Sequence, residues 1–170
     1  MHVTLEPLSA AHLDGAAELW ADGAVIRYTA IPAPLDRTAA AARLETLLVC
    51  QRDLPGSTVF AVLEEGTFQG IAGSIPTGEG FGFFYQLLPR AWGRGVGQRA
   101  ARMALEALLR RFPETEVLAD AAAENTASIR ILEKLGFRRT SVQTGGLHRE
   151  GRYMDIWKYV RSPGGKQEGM

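Results

Sequence analysis

A glycine-rich segment between a strand pattern and a helix pattern constrains the fold of this 170-residue chain more than any other feature. The apolar, aromatic-rich residues 81–88 predict a buried strand, and Pro89, which lacks an N–H group, predicts the end of its pairing. Gly93, Gly95 and Gly97 follow, and glycine allows positive φ and a close approach of a ligand to the backbone. The segment therefore predicts a strand, a tight turn and the first turn of a helix.

The helix predicted after the glycines indicates what this turn can bind. The first N–H groups of a helix have no partner within it and lie at the positive end of its dipole, so they form an anion site. Arg90, Arg94 and Arg99 are expected to add mobile positive charge. The segment therefore predicts phosphate binding. The apolar positions at helical spacing are Ala101, Ala104, Leu105 and Leu108.

Three interpretations of the glycines compete. A purely structural turn needs fewer alternate glycines than this one has. Residues 95–100 also match G-x-G-x-x-A, the fingerprint of dinucleotide-binding oxidoreductases, with Glu114 or Glu116 near the ribose-binding position about 20 residues on. That fingerprint normally opens a βαβ domain, whereas several strand patterns precede it here. The third interpretation is a different pyrophosphate site, and the rest of the chain favours it.

Charge and cysteine content narrow the class of protein. Lys plus Arg and Asp plus Glu number 19 each, which argues against a general binder of nucleic acid or anionic membranes. The single cysteine, Cys50, excludes an internal disulfide and favours a cytoplasmic setting. No stretch reaches the ~20 apolar residues of a membrane span, and no signal-peptide pattern opens the chain. The three histidines are too scattered to predict a metal site.

The order of predicted elements indicates an α/β fold: a mixed, mostly antiparallel sheet with helices on both faces. One domain is expected over residues 1–161, followed by a flexible tail at residues 162–170. Helices are predicted after Ser9 with a stop at Gly23, from about residue 36 to 52, after Gly97, and from Asn125 to a stop at Gly136. Strands are predicted at residues 3–8, 58–63, 68–75, 81–88, 116–121, 138–142 and 153–160, with turns or loops at 65–66, 76–80 and 145–151.

Two motifs in this order resemble the GNAT acyltransferase superfamily. Residues 92–98 read W-G-R-G-V-G-Q, similar to the family's acetyl-CoA pyrophosphate loop, although the family usually has Gln or Arg where this chain has Trp92. Residues 125–137 resemble N-x-x-S-x-x-x-L-E-K-x-G-F. Within the family, Y-x-L-x-P-x-x-W-G-x-G from residue 85 and R-x-x-D from residue 152 are similar to the ribosomal-protein N-terminal (alanine/serine) acetyltransferases.

The resemblance implies an acetyl-CoA-dependent N-acetyltransferase with the GNAT fold. It would transfer an acetyl group directly to a primary amine, either a protein N-terminal α-amine or a small-molecule amine. The expected partner is that acceptor, without nucleic acid, membrane or metal, and the expected assembly is a monomer or homodimer. The residues expected to bind CoA are Leu87, Trp92, Gly93, Arg94, Gly95, Val96, Gly97, Gln98, Asn125 and Ser128.

Catalytic roles follow from what amine acetylation requires. A backbone N–H near Tyr85 is expected to stabilise the thioester oxygen, and Ser128 to act as acid or hydrogen-bond donor to the leaving thiolate. Asp120 is the first candidate for the base, ahead of Glu79 and His148. The tyrosine that often serves as acid in the family is Leu132 here. That substitution leaves a catalytically silent acyl-CoA-binding module as an alternative, beside the dinucleotide-binding oxidoreductase.

Acceptor specificity is expected in three segments: residues 25–35, the second long helix and residues 144–151. Arginine and tyrosine side chains in or beside these segments are expected to contact an acceptor that carries a carboxylate. They are Arg27, Tyr28, Arg149 and Arg152.

Overall fold

A computed structural model describes residues 1–164, so most of the tail predicted at residues 162–170 lies outside the described residues. The strands are β1 (Val3–Pro7), β2 (Thr58–Glu64), β3 (Thr67–Thr77), β4 (Gly80–Leu87), β5 (Val117–Ala122), β6 (Arg138–Arg149) and β7 (Arg152–Arg161). The α-helices are α1 (Leu13–Ala21), α2 (Gly23–Ile26), α3 (Arg37–Asp53), α4 (Val96–Arg111) and α5 (Thr126–Lys134). Two short 3₁₀ turns cover Ala10–His12 and Pro89–Ala91.

The seven strands form one sheet in the order β1-β2-β3-β4-β5-β7-β6. Neighbouring strands are antiparallel except β4 and β5, which α4 connects and which run parallel. This parallel pair is very short, because β5 pairs with β4 only at Phe81–Val117 and Gly82–Leu118. Beyond these pairs no strand of residues 1–164 lies next to β4 on its β5 side, and a slot opens in the middle of the sheet.

Helices cover both faces of the sheet, as the sequence predicts. Phe60 and Val62 of β2 pack in the hydrophobic cluster that contains α4 and α5. Val59 and Ala61, their alternating neighbours, pack in the cluster that contains α1 and α3. The sheet therefore separates two hydrophobic cores, and the slot lies between them.

Local signals at the helix ends explain most boundaries. Asp36 caps α3 by accepting a hydrogen bond from the Ala39 N–H at 2.8 Å, close to the predicted start. Helix α5 ends at the predicted glycine: Gly136 has φ of 90°, and the Phe137 N–H donates to the Leu132 carbonyl at 3.0 Å. Helix α1 ends at Ala21, two residues before the predicted stop at Gly23, and Asp22 caps the short helix α2, which begins at Gly23.

The hairpin of β6 and β7 also corrects a predicted loop. A loop is predicted at residues 145–151, but β6 continues to Arg149 and only Glu150 and Gly151 form the turn. The glycines that suggested a loop lie at a bulge, where the pairing shifts between Gln143 and Leu147. Similarly, β3 extends through Thr77, so the turn predicted at residues 76–80 is much shorter.

Candidate functional site

The slot exposes a row of backbone groups on β4. The Phe81 N–H donates to the Glu116 carbonyl at 3.1 Å, so this residue's peptide groups point toward β5. Because these directions alternate along a strand, Phe83, Tyr85 and Leu87 also present their N–H and C=O groups to the slot. Leu88 belongs to the alternate set of residues, whose peptide groups point toward β3. Its N–H accordingly donates to the Gln69 carbonyl of β3 at 2.8 Å. An extended, amide-containing ligand can pair with such a row as an added strand.

The turn after β4 ends in an uncovered helix N-terminus. Gly95 is the N-cap residue of α4 in the left-handed conformation, with φ of 82°, and its lack of a side chain leaves the helix start without a side-chain cap. Within residues 1–164, no N–H group from Gly93 to Gln98 donates a hydrogen bond. Six consecutive free donors at the positive end of a helix of 16 residues form a strong anion site.

Each of the three arginines near this turn makes a polar contact within residues 1–164. Arg94 forms a bidentate ion pair with Glu64, with distances of 2.6 and 2.7 Å between guanidinium nitrogens and carboxylate oxygens. The Arg94 hydrogen bond lowers the pKa of the Glu64 carboxyl. Arg90 binds Glu18, and Arg99 donates to the Met1 carbonyl at 3.3 Å. The charge available to an anion in this turn therefore comes from backbone N–H groups and the helix dipole.

Trp92 connects the turn to the end of the slot. Its indole N–H donates to the Leu87 carbonyl at 2.8 Å, while 49% of the residue remains exposed. The indole thus occupies the Leu87 carbonyl and leaves the Leu87 N–H for a ligand. It also presents an aromatic surface beside the free donors.

The first turn of α5 meets β4 at the slot. Asn125 caps α5 by accepting from the Ser128 N–H at 3.3 Å, and its side-chain NH₂ has no partner within residues 1–164. The Tyr85 hydroxyl lies 3.0 Å from the Ser128 carbonyl oxygen and 3.1 Å from the Ser128 Oγ. Burial raises the pKa of Tyr85 to about 12. Two of the predicted catalytic residues are therefore in direct contact.

This phenol contact is a feature of the site that the sequence did not predict. Only the backbone of Tyr85 was expected to matter. The two residues are 43 positions apart, and no local pattern connects them. The sequence does nevertheless indicate which side of β4 carries the Tyr85 side chain, because alternate residues of a strand share a face and Phe81 and Phe83 lie on the face of Tyr85.

The predicted bases lie apart from this pair. Ala119 and Ala121 of β5 face α4 and α5, so Asp120 between them points to the opposite side of the sheet. There its carboxylate accepts a hydrogen bond from the Lys158 ammonium at 2.8 Å. Glu79 is exposed in the turn before β4. His148 stacks on Tyr153 near the tip of the β6–β7 hairpin, with ring centroids 4.4 Å apart.

Two of the three arginines predicted to contact an acceptor carboxylate, Arg149 and Arg152, are paired within the protein, whereas the Arg27 guanidinium lies over the Tyr28 ring at 5.5 Å from its centroid. The Arg149 guanidinium donates to the carbonyls of Thr29 and Ile31, the latter at 2.7 Å. Arg152 pairs with Glu124 at 3.1 Å. Arg149 therefore ties the segment between α2 and α3 to the β6–β7 hairpin, and we call these two segments, residues 27–36 and 145–155, the latch region.

Two kinds of feature are absent from residues 1–164. They contain no group of three or more His, Cys, Asp or Glu side chains arranged to hold a metal ion. In the same residues, no helix combines the length and the apolar character needed to cross a membrane.

The chain matches a protein family over most of its length. The family is described as acetyltransferase (GNAT) domain, and its model matches residues 2–138. No curated protein sequence matches this chain significantly.

Solved structures of similar shape share little sequence with this chain. A ribosomal-protein-alanine N-acetyltransferase from Brucella melitensis has a TM-score of 0.79 at 21% identity, covering 94% of this chain and 99% of that one. A spermidine N-acetyltransferase from Vibrio cholerae, in complex with CoA and spermine, has a TM-score of 0.80 at 18% identity, covering 94% and 95%. The ribosomal L7/L12 α-N-protein acetyltransferase RimL, in complex with coenzyme A, has a TM-score of 0.83 at 13% identity, covering 96% of each chain. These likenesses establish the fold.

Proposed function

Because the chain belongs to the acetyltransferase (GNAT) domain family, we propose that it transfers an acetyl group directly from acetyl-CoA to a primary amine, preferably the α-amine of a protein N-terminus. The observation that carries this proposal is the open slot of β4 leading to the six free N–H groups from Gly93 to Gln98. A slot that accepts amides and ends in an anion site matches the pantetheine arm and pyrophosphate of CoA.

The donor is placed on backbone groups. The pyrophosphate binds the N–H groups of the turn and the start of α4, and the pantetheine amides pair with the free Leu87 N–H and with the NH₂ group of Asn125. The acetyl carbonyl then lies near the Tyr85 N–H, which stabilises the charge that develops on the carbonyl oxygen as the amine attacks. Such a donor is worth about 3–4 kcal/mol in acyl-transfer enzymes.

The reaction exchanges one bond for another. The amine nitrogen forms a bond to the acetyl carbon, the carbon–sulfur bond breaks, and the sulfur leaves as the CoA thiolate. The amine gives up one proton and the thiolate takes up one, so the reaction is balanced in protons. Ser128, at the slot, is the proposed hydrogen-bond donor to the sulfur.

The contacts of the predicted bases favour an acceptor whose amine has a low pKa. Asp120 is paired with Lys158, and His148 is stacked on Tyr153. An amine that is already partly neutral needs little help from a base. At pH 7.5 an α-amine, with pKa of about 7.7–8.0, is neutral in about a quarter of molecules or more, against roughly one in a thousand for a lysine amine. We therefore place a protein N-terminus first and a small amine second.

The first experiment tests the donor. Thermal-shift titrations with acetyl-CoA, CoA and NAD are run side by side, and a hundredfold excess over the dissociation constant stabilises the protein by ~2.7 kcal/mol. Stabilisation by acetyl-CoA and CoA but not NAD supports the proposal. Stabilisation by NAD alone, or by none of the three, would overturn it.

The second experiment tests the acceptor. The kcat/KM with acetyl-CoA is measured for a peptide with a free N-terminal alanine, an Nα-blocked peptide that contains lysine, and spermidine. We expect the first to be the best substrate, with a rate that rises with pH through the pKa of its α-amine. A preference for spermidine would select the small-molecule alternative. CoA binding without turnover of any amine would indicate the silent module.

The catalytic assignments are tested separately. Ser128→Ala and Asp120→Asn are each assayed for kcat with the best acceptor. Ser128→Ala is expected to lower kcat about tenfold, because it removes a hydrogen bond to a charged leaving group. If Ser128→Ala keeps the wild-type rate, the role of Ser128 is wrong while the donor site stands. A lower kcat in Asp120→Asn would show that Asp120 acts as the base in spite of its ion pair with Lys158.

The wider setting of the protein is also proposed. The single cysteine favours a reducing compartment, which we take to be the cytoplasm. We propose one catalytic domain over residues 1–161 that acts as a monomer or homodimer. It takes an amine as its partner, without nucleic acid, membrane or metal.

A further inference from the structure

The contact between Tyr85 and Ser128 gives each hydroxyl a choice of partner. The phenol oxygen is 3.0 Å from the Ser128 carbonyl and 3.1 Å from the Ser128 Oγ, and each hydroxyl carries a single hydrogen. The carbonyl can only accept. Two arrangements of the hydrogens are therefore compatible with the same heavy-atom positions.

In the first arrangement, the Tyr85 hydroxyl donates to the Ser128 carbonyl, and the Ser128 hydroxyl donates back to the phenol oxygen. In the second, the Tyr85 hydroxyl donates to the Ser128 Oγ, and the Ser128 hydrogen is free to donate elsewhere. The second arrangement leaves no carbonyl unsatisfied, because the Ser128 carbonyl lies within α5 and accepts from the N–H four residues on. A thiolate within reach of Ser128 favours the second arrangement.

We propose that the phenol of Tyr85 is a positioning residue for the acyl transfer: it donates to the Ser128 Oγ and so directs the Ser128 hydrogen to the sulfur of the leaving CoA thiolate. This inference rests on the proposed function, which places the sulfur at the slot beside Ser128. It assigns a role to the phenol side chain, beyond the Tyr85 backbone N–H.

The environment of Tyr85 suits a donor that keeps its proton. Burial raises the pKa of its phenol to about 12, so the group is neutral throughout the physiological range. A chain from Tyr85 through Ser128 to the thiolate is cooperative, because each hydrogen bond polarises the next. Neither hydroxyl loses its proton in this scheme. The proton lost by the amine goes to solvent, and the thiolate is protonated from solvent after the carbon–sulfur bond breaks.

The chain of hydrogen bonds can be tested without knowing the acceptor. Donors to the sulfur stabilise the thiolate, so they lower the pKa of the CoA thiol when it is bound. The ultraviolet absorbance of the thiolate reports this ionisation in a pH titration of the protein–CoA complex, with CoA-free protein subtracted. The variants are Tyr85→Phe, Ser128→Ala and the double variant. Tyr159→Phe is the control, because it removes the phenol oxygen of a tyrosine in the same core whose hydroxyl makes no hydrogen bond within residues 1–164.

We expect Ser128→Ala to lower the ionisation constant of the bound thiol about tenfold and Tyr85→Phe about threefold. The double variant should match Ser128→Ala, since Tyr85 acts only through Ser128. Tyr159→Phe should match the wild type. Tyr85→Phe should also lower kcat, with the KM for acetyl-CoA unchanged. A wild-type ionisation constant in Tyr85→Phe, or an equal effect of this change in the Ser128→Ala background, would overturn the proposal.

A substitution that preserves shape protects the test against misfolding. Site-specific 3-fluorotyrosine at position 85 replaces one ring hydrogen with fluorine. It keeps the hydroxyl group and makes it a stronger hydrogen-bond donor. The proposal predicts the opposite shift, toward easier ionisation of the bound thiol, and no shift or the reverse would contradict it. Failure of the wild-type protein to bind CoA would instead refute the proposed function, so the two failures are distinguishable.

Discussion

The donor site and the latch region differ in how their polar groups are satisfied. In the donor site, residues 83–98 and the start of α5, the N–H groups from Gly93 to Gln98 have no partner within residues 1–164. In the latch region, the carbonyls of Thr29 and Ile31 accept from Arg149, and Gly145 donates to Asp155 at 2.9 Å. Buried or clustered polar groups are normally paired in a folded protein. The unpaired N–H groups therefore indicate a ligand-binding site, whereas the paired groups of the latch region stabilise the fold.

The two regions also differ in sequence range. The donors that form the anion site are consecutive residues, and the glycine conformations that expose them are set locally. The latch joins residues about 120 positions apart, since Arg149 reaches Thr29 and Ile31. A mutation in the donor site should therefore change ligand affinity, and one in the latch region should change local stability.

The strongest test of this difference is Gly95→Val. A β-branched residue is a genuine outlier at φ of 82°, and the strain moves the N–H groups away from the phosphates. We expect the affinity for acetyl-CoA to fall about a hundredfold, or about 2.7 kcal/mol, measured by isothermal titration calorimetry. Gly78→Val is the matched control, because Gly78 does not have positive φ and has open space around it. Equal losses in both variants would contradict a backbone-built anion site.

The second test uses pH and concerns the buried phenol of the donor site. The pKa of Tyr85 is raised from 10.0 to about 12 by burial, so its contribution to stability is complete below pH 10 and is lost as the pH rises through 12. Wild-type protein should lose about 2 kcal/mol of unfolding free energy by pH 12 from this group. Tyr85→Phe should lack that loss. Urea unfolding of both proteins from pH 8 to 12 checks it, and parallel curves would show that Tyr85 ionises as easily when folded.

The sequence predicts the turn and helix ends of the proposed donor site well because their determinants are local. Glycine spacing, Pro89 and the helix pattern place the turn after β4, and Asn125 and Gly136 mark the ends of α5, as the structure confirms. The mixed sheet with helices on both faces follows from the order of these elements. Each of these features depends on residues that are close together in the sequence, so a sequence pattern can predict it.

The contacts that the sequence missed depend on pairing between distant segments. The bulge in β6 turns a glycine-rich stretch into part of a strand, because pairing with β7 overrides the local turn signal of Gly145 and Gly146. The ion pair of Arg94 with Glu64 depends on the closeness of the turn to β2, and no single-segment pattern reports that. The contact between Tyr85 and Ser128 was not predicted for the same reason, because it joins two segments that are distant in the sequence.

The third test addresses the latch region. Arg149→Ala removes the donor to two backbone carbonyls, and a lost hydrogen bond to a charged group costs about 1.5 kcal/mol or more. We expect hydrogen–deuterium exchange in residues 27–36 to become about tenfold faster. Exchange in residues 92–98 and the affinity for acetyl-CoA should stay the same. Arg110→Ala, at an exposed arginine near the end of α4, is the control and should change neither. A loss of CoA affinity in Arg149→Ala would show that the two regions are coupled.

The smallest expected effect belongs to Arg94, and it separates the backbone of the turn from its side chains. The guanidinium is committed to Glu64, so replacing both residues with glutamine removes an ion pair without leaving a lone charge beside the phosphates. If backbone N–H groups bind the pyrophosphate, Arg94→Gln with Glu64→Gln should change the affinity for acetyl-CoA by less than about threefold, because the Arg94 guanidinium is held by Glu64 and makes no contact with the phosphates. The dependence of the affinity on salt concentration should also be preserved, since no cation that contacts phosphate is lost. A tenfold loss with a weaker salt dependence would mean that Arg94 leaves Glu64 to bind the pyrophosphate. The donor site would then rely on a side chain that changes partners, as well as on the free donors of its backbone.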